Sequence, residues 1–331
     1  MKSRLLIILC CILSAAGCDQ STSGTTSGDP DTKPKLVLQL NWKAEPQFGG
    51  FYAALVHGEY TKHHLEIDVK EGGAGVPTID MLAAGTVKFA VVSGDEIILA
   101  RARGKKIVGL FAVYQTHPQG IMTRTNRGFK DIGDVFKAEG TLAMEQGLPY
   151  SDFLKDKYGF EKVKIVPSPF GDLSLFRADE NYSMQCFVTS EPLAAKKLGL
   201  DVQTFLIADS GYNPYATVLA TTDEYVKENR PAVRAMLTAV RAGWDRYLTD
   251  PAATNAAMGK INQTMDAQTF IDSADAQQVL IATTDTATAG VGSMTKKRWQ
   301  TLAEQMVALK VIESAPPAAE CFVDPATLSG N

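Results

Sequence analysis

Residues 36–60 constrain this chain most. Leu36, Leu38 and Leu40 alternate along an apolar run and predict a core strand. Pro46 and Gly49-Gly50 break the regularity directly after it, and an apolar helical run begins at Phe51. The loop Asn41-Trp42-Lys43-Ala44-Glu45-Pro46-Gln47-Phe48 therefore lies at the carboxyl end of a strand, where ligands sit in open α/β sheets. It gathers Trp42, Phe48, Phe51 and Tyr52 around two glycines, which suits a flat ligand stacked on rings with backbone close by. The other reading of the same residues is ordinary core aromatics beneath a tight turn.

Later segments repeat the strand–helix rhythm. Residues 65–70 alternate as a second strand, and Gly72-Gly73-Ala74-Gly75 leads into a helix over 78–84. That cluster has neither G-x-G-x-x-G spacing nor the G-K-[ST] ending of a phosphate loop, so it reads as a backbone-lined turn. His64 stands where a helix C-cap glycine would be expected, and His63-His64 reads as turn surface. Residues 87–92 predict a third strand, after which Ser93 or Asp95 caps a helix. Residues 107–114 are apolar throughout and predict a strand buried on both faces, as parallel sheets require.

Beyond Gln115 a fresh series starts, with strands expected over 121–123, 141–144, 163–166, 184–188 and 202–207 and helices over 150–158 and 192–198. A polar break at 209–214 leads to a strand over 215–220, and then only helices follow. Pro231 opens the clearest, with Val233, Met236, Leu237, Val240, Trp244, Tyr247 and Leu248 on one face. The expected architecture is α/β with two lobes: residues 36–118 and 215–331 form lobe 1, and 119–214 form an inserted lobe 2. Two crossover linkers between lobes make a hinge.

A length of 331 residues agrees with two domains. With 45% hydrophobic and 21% charged residues, neither disorder nor a membrane bundle fits the whole chain. The N-terminus differs. Lys2 and Arg4, an apolar stretch over 5–13 and the small residues Ser14-Ala15-Ala16-Gly17 predict a signal peptide over residues 1–17. Cys18 after Ala15-Ala16-Gly17 resembles a bacterial lipobox, whose cysteine is lipidated; a plain cleaved signal is the alternative. Residues 18–35, rich in Ser, Thr, Gly, Asp and Pro, predict a flexible tether.

Outside the export segment only Cys186 and Cys321 remain of five cysteines, which is no disulfide framework, and they read as separate thiols. The formal charge of −4, more acidic once Lys2 and Arg4 leave with the signal, argues against nucleic acid as partner. No His, Cys or carboxylate group has metal-ligand spacing. G-x-S-x-G and H-E-x-x-H are absent, and no cysteine has a plausible histidine partner, so binding rather than catalysis is expected.

Four pieces carry a resemblance: N-W-K-A-E-P-Q-F-G-G-F-Y from Asn41, Y-Q-T-H-P-Q-G from Tyr114, V-T-S-E-P-L-A-A from Val188 and D-S-G-Y-N-P-Y from Asp209. In order and spacing they resemble the bacterial ABC-importer substrate-binding proteins of the thiamine-pyrimidine and nitrate, taurine or alkanesulfonate group. The resemblance implies a type II periplasmic-binding-protein fold, a small-molecule ligand between the lobes, delivery to ABC permease subunits and no cofactor. With the lipobox it implies a monomer in the periplasm or at the cell surface, anchored to the membrane by lipid on Cys18. Eukaryotic relatives of this fold make the thiamine pyrimidine with a pyridoxal cofactor and a C-C-C-F-C segment; here only Cys186-Phe187 stands near that place, which argues against a synthase.

Sulfonate or nitrate would call for cations at the cleft. Lys43 is the only basic residue of the first loop, and Asp95-Glu96 put negative charge at a helix start. Trp42, Gln47, Phe48, Tyr52, Ser93, Asp95, Gln115, Glu191, Tyr212, Asn213 and Tyr215 are the candidate ligand-binding residues, suiting an amino-bearing heteroaromatic whose N–H groups need acceptors. A thiamine pyrimidine precursor is the expected ligand, with riboflavin and taurine or an alkanesulfonate as alternatives. In the thiamine-pyrimidine binders a glutamate after a second-lobe strand is similar to Glu191; otherwise Glu191 is an acid favoured by the helix dipole.

Overall fold

A computed structural model describes residues 35–329. The predicted signal peptide, the expected lipidation site Cys18 and all of the expected tether but Lys35 lie outside them. Among the described residues ten strands run in chain order as β1 (Leu36–Gln39), β2 (Ile67–Lys70), β3 (Phe89–Val92), β4 (Ile107–Tyr114), β5 (Gln119–Arg124), β6 (Gly140–Ala143), β7 (Val163–Val166), β8 (Tyr182–Phe187), β9 (Val202–Leu206) and β10 (Ala216–Thr222). They divide into two five-stranded sheets, β2-β1-β3-β10-β4 and β7-β6-β8-β5-β9. Each sheet has a parallel portion, β2-β1-β3 or β7-β6-β8, and an antiparallel remainder made by the strands nearest the crossings.

The chain leaves the first sheet after β4 and returns to it as β10, so the second sheet is an insertion between the two. Two crossings join them, between β4 and β5 and between β9 and β10. Asn213 on the second ties them together: its Oδ1 accepts from the His117 amide at 2.9 Å and its Nδ2 reaches Gln115 O at 3.5 Å.

β4 corrects one expectation. All eight residues are buried, yet the strand is antiparallel to β10 and stands at the edge of its sheet. Its outer side is covered by the C-terminal part of the chain: Gly109 N donates to Cys321 O and Gly109 O accepts from Val323 N, both at 2.9 Å, and Ala112 N donates to Gly292 O at 3.1 Å. Those bonds satisfy an edge that would otherwise expose unpaired backbone.

Gly49 and Gly50 correct another. They open the helix Gly49–Val56, which crosses the 20-residue helix Arg230–Thr249. A Cβ on Gly49 would fall 2.1 Å from the Tyr247 ring and one on Gly50 2.2 Å from Trp244. These glycines admit two core rings at a helix crossing rather than leaving backbone free for a ligand. Phe48 and Phe51 are fully buried in the same cluster, each burial contributing about 1.5–3 kcal/mol. Cys186 and Cys321 are free, buried thiols.

Candidate functional site

The loop after β1 is held from behind on several sides. Gly72 N donates to Trp42 O at 2.8 Å, and Ala44 N donates to Glu71 Oε1 at 2.7 Å. Asn262 Nδ2 reaches Ala44 O at 3.3 Å and Gln277 Nε2 donates to Pro46 O at 3.0 Å, while Gln277 itself is buried and accepts from Tyr114 Oη at 2.7 Å. With its backbone so engaged, the loop presents Asn41, Trp42, Glu45 and Gln47 as its half-buried side chains.

The second sheet brings two groups to meet them. Phe170, in the turn after β7, is 53% exposed and has φ +48°, a left-handed conformation uncommon for an aromatic residue. Its ring centroid lies 6.3 Å from that of Trp42 with the planes tilted by 33°. Glu191 begins the helix Glu191–Lys197, and its Oε2 accepts from the Phe187 amide at 2.8 Å. A Cβ on Gly171 would lie 3.8 Å from Glu191 Oε1, so the Phe170 turn borders this carboxylate.

Glu191 acts on Glu45 through space and opposes its ionisation. Burial, then Glu191, push the Glu45 carboxyl up to about 7, against the opposing pull of Lys43 and of the Trp42 indole, which donates to it. Burial raises Glu191 as well, opposed by backbone N–H groups at the helix start. Two half-buried carboxyls beside two facing rings form a site that accepts hydrogen bonds and stacks planar groups.

Nearer the hinge a second polar group is internally satisfied. Ser93 caps the helix Gly94–Ala102 with Glu96 in a capping box, and its hydroxyl bonds Asp95. Asp95 Oδ2 accepts from Tyr212 Oη at 3.1 Å. Burial holds the His117 ring down at about 4, with Asp95 opposing and Arg298 reinforcing, so the ring is neutral near pH 7. Its Nδ1 accepts from Gln119 N at 3.1 Å. Tyr150 donates to Gln185 Oε1 at 2.6 Å, and Gln185 Nε2 donates to Glu145 at 2.9 Å. The space enclosed by Asp95, His117, Tyr150 and Tyr212 is about 10 Å³, room for a water at most.

The sequence-predicted residues thus divide. Trp42 and Glu191 come together, with Gln47 on the same loop as Trp42. Ser93, Asp95, Tyr212 and Asn213 gather at the hinge, where they bond one another or the crossing backbone. Phe48 and Tyr52 (2% exposed) belong to the lobe 1 core instead, because the helix Arg230–Thr249 packs over the helix they enter. Tyr215 is likewise buried, its ring under the Arg298 guanidinium and its hydroxyl accepting from Thr295 N at 2.9 Å. Gln115 is buried and turned to Ala112 O and Ser293 O. Glu45 and Phe170 escaped the sequence reading. Glu45 lay within the loop already singled out, and Pro167-Ser168-Pro169-Phe170-Gly171 was a legible turn with an aromatic at its tip.

Among the described residues no group of His, Cys, Asp or Glu is arranged to hold a metal ion, and no helix is long and apolar enough to cross a membrane.

Residues 45–254 match the family described as NMT1/THI5 like. The riboflavin-binding protein RibY of Chloroflexus aurantiacus is 23% identical over 283 residues, covering 76% of either chain. The formylaminopyrimidine-binding protein of Halalkalibacterium halodurans is 22% identical over 260 residues, 76% of this chain and 77% of the other. In structure the chain is similar to the periplasmic aliphatic sulphonate binding protein SsuA from Escherichia coli, with a TM-score of 0.68 and 14% identity over 91% of this chain and 95% of that one. The matched span exceeds half the sequence and the two-sheet topology is shared with periplasmic binding proteins, so the chain belongs to the NMT1/THI5-like family.

Proposed function

We propose that this chain is the substrate-binding component of an ABC importer and that it captures a small amino-bearing heteroaromatic molecule, of the thiamine-pyrimidine kind, between its lobes. The observation that carries this reading is the meeting of Trp42 and Phe170 across the lobes, with the Glu191 carboxylate bordering the Phe170 turn and Glu45 beside Trp42. An exocyclic amine offers two N–H donors to the two carboxyls, and a flat ring would stack on the Trp42 or Phe170 face as those two rings part. Binding would draw both lobes together, since the acceptors and the rings come from both.

An alkanesulfonate fits this chemistry poorly. Lys43 is exposed, His117 is neutral, and an anion would face two carboxyls. Riboflavin is the nearer competitor, because a protonated Glu45 can donate to a ring carbonyl; its single imide N–H, however, serves one ionised carboxylate and not two. A pyrimidine synthase of the kind that shares this fold is disfavoured by Cys186, whose thiol is buried in β8 and pushed up by that burial. Retention at the membrane through lipid on Cys18 belongs to the same proposal.

A thermal-shift panel decides among these ligands. A molecule at 100 times its dissociation constant adds about 2.7 kcal/mol, enough to move the midpoint by several degrees. The expected result is a shift with formylaminopyrimidine and none with taurine. A shift with taurine alone overturns the ligand class, and one with riboflavin alone replaces the pyrimidine.

A further inference from the structure

A second cavity, of about 470 Å³, lies where both crossings meet the helix Lys296–Ala308. That volume is within the range of small-molecule sites. None of Trp42, Glu45, Phe170 and Glu191 lines it. Its wall is polar, with hydroxyl and amide side chains around two cations, Lys297 and Arg298, and one carboxylate, Asp285.

Arg298 is held in the wall by several contacts. The guanidinium sits 3.9 Å above the Tyr215 ring, and it donates through Nε to Asn213 O at 3.1 Å and through Nη2 to Asn213 Oδ1 at 3.1 Å and Pro214 O at 3.2 Å. Every one of these partners is neutral. Burial lowers its pKa, and Asp285 acts on it only through space. Arg101, whose side chain is also buried, is by contrast paired with Asp223 at 3.1 Å and Glu320 at 2.7 Å. Among the described residues neither Arg298 nor Lys297 has a carboxylate within ion-pair distance. A partly buried cation with no carboxylate at ion-pair distance is costly, and an anion in the adjoining cavity would relieve it.

We propose that this cavity is a second binding site, taking a small oxyanion, a phosphate or carboxylate group, on Arg298 and Lys297. Because Arg298 grips Asn213, and Asn213 binds both His117 and Gln115, the occupant bears on the joint between the crossings. The oxyanion would therefore alter ligand affinity in the cleft, a coupling between two sites. The binding half stands apart from the cleft's ligand, whereas the coupling half rests on the reading of the cleft given above.

The test uses the full chain and two exposed wall residues. Thermal midpoints are measured in inorganic phosphate, in citrate and in sodium chloride at equal ionic strength. Phosphate or citrate should raise the wild-type midpoint by a few degrees over chloride. Lys297→Glu, which reverses a charge, and Thr301→Trp, which fills the cavity, should both lose that rise while keeping the wild-type midpoint in chloride. A phosphate-only response assigns a phosphoryl ligand and a citrate-only response a carboxylate. No rise over chloride, or an equal rise in both variants, overturns the site. A calorimetric titration with formylaminopyrimidine then reads the coupling: its affinity should change severalfold on adding the effective oxyanion in wild type and not in Lys297→Glu. An oxyanion that binds without that change overturns the coupling alone, and failure of the pyrimidine to bind leaves the midpoint result to stand by itself.

Discussion

Trp42 and Phe170 make the residue-scale account testable, because neither is buried in the core. Replacing either by Ala should remove stacking worth about 0.5–1.5 kcal/mol beyond area burial, weakening binding by roughly threefold or more while the melting midpoint without ligand hardly moves. Calorimetric titration of the two variants checks this. Glu191→Gln should cost an amino-bearing ligand more than one lacking the amine, since a charge-assisted bond is lost. Glu45 adds a pH dependence. Its folded carboxyl is raised to about 7 from an ordinary value of 4.5, so the folded chain binds more protons than the unfolded one between those values. Stability without ligand should then fall as pH rises from 4.5 to 7, and Glu45→Gln should flatten that part of the midpoint profile. Of these residues Trp42 and Glu191 were legible in the sequence, one as an aromatic beyond a strand and one as an acid at a helix start. Glu45 and Phe170 were not, because their significance lies in what faces them, Glu191 at 146 and Trp42 at 128 residues away in the chain, and pairing across an insertion leaves no local pattern.

At the scale of elements, apolar periodicity located the strands well and their neighbours poorly. The run Ile107–Tyr114 announced full burial, but the sequence could not say that a returning strand and the C-terminal segment, rather than parallel partners and helices, would supply it. Gly49 and Gly50 were read as room for a ligand because a glycine pair beside aromatics looks the same whether the ring that needs the space belongs to a ligand or to a distant helix. Gly50→Ala tests the structural role. A Cβ there meets Trp244 at 2.2 Å, so the overpacked crossing should lose about 1–3 kcal/mol in urea unfolding. If Gly50→Ala instead leaves stability unchanged and weakens ligand binding, the pair belongs to the site.

For the whole molecule, the insertion of one α/β lobe into another was readable from two polar, proline-bearing breaks around a complete strand–helix series. What joins the lobes was less so: the contacts include Ser273 Oγ donating to Thr189 O at 2.5 Å and Lys197 with Asp266 at 2.8 Å, pairs far apart in the chain. Anchoring is a separate matter, resting on Cys18 outside the described residues. Cys18→Ser should release the protein from membranes into the soluble fraction, and a variant that stays as firmly bound as the parent would place the anchor elsewhere. The central claim is that ligand is gripped between the lobes, and small-angle scattering tests it most directly. Saturating formylaminopyrimidine should reduce the radius of gyration of the wild type and leave it unchanged in a Trp42→Ala, Glu191→Gln double variant at the same concentration; an unchanged radius in the wild type, with binding verified by calorimetry, would contradict the account.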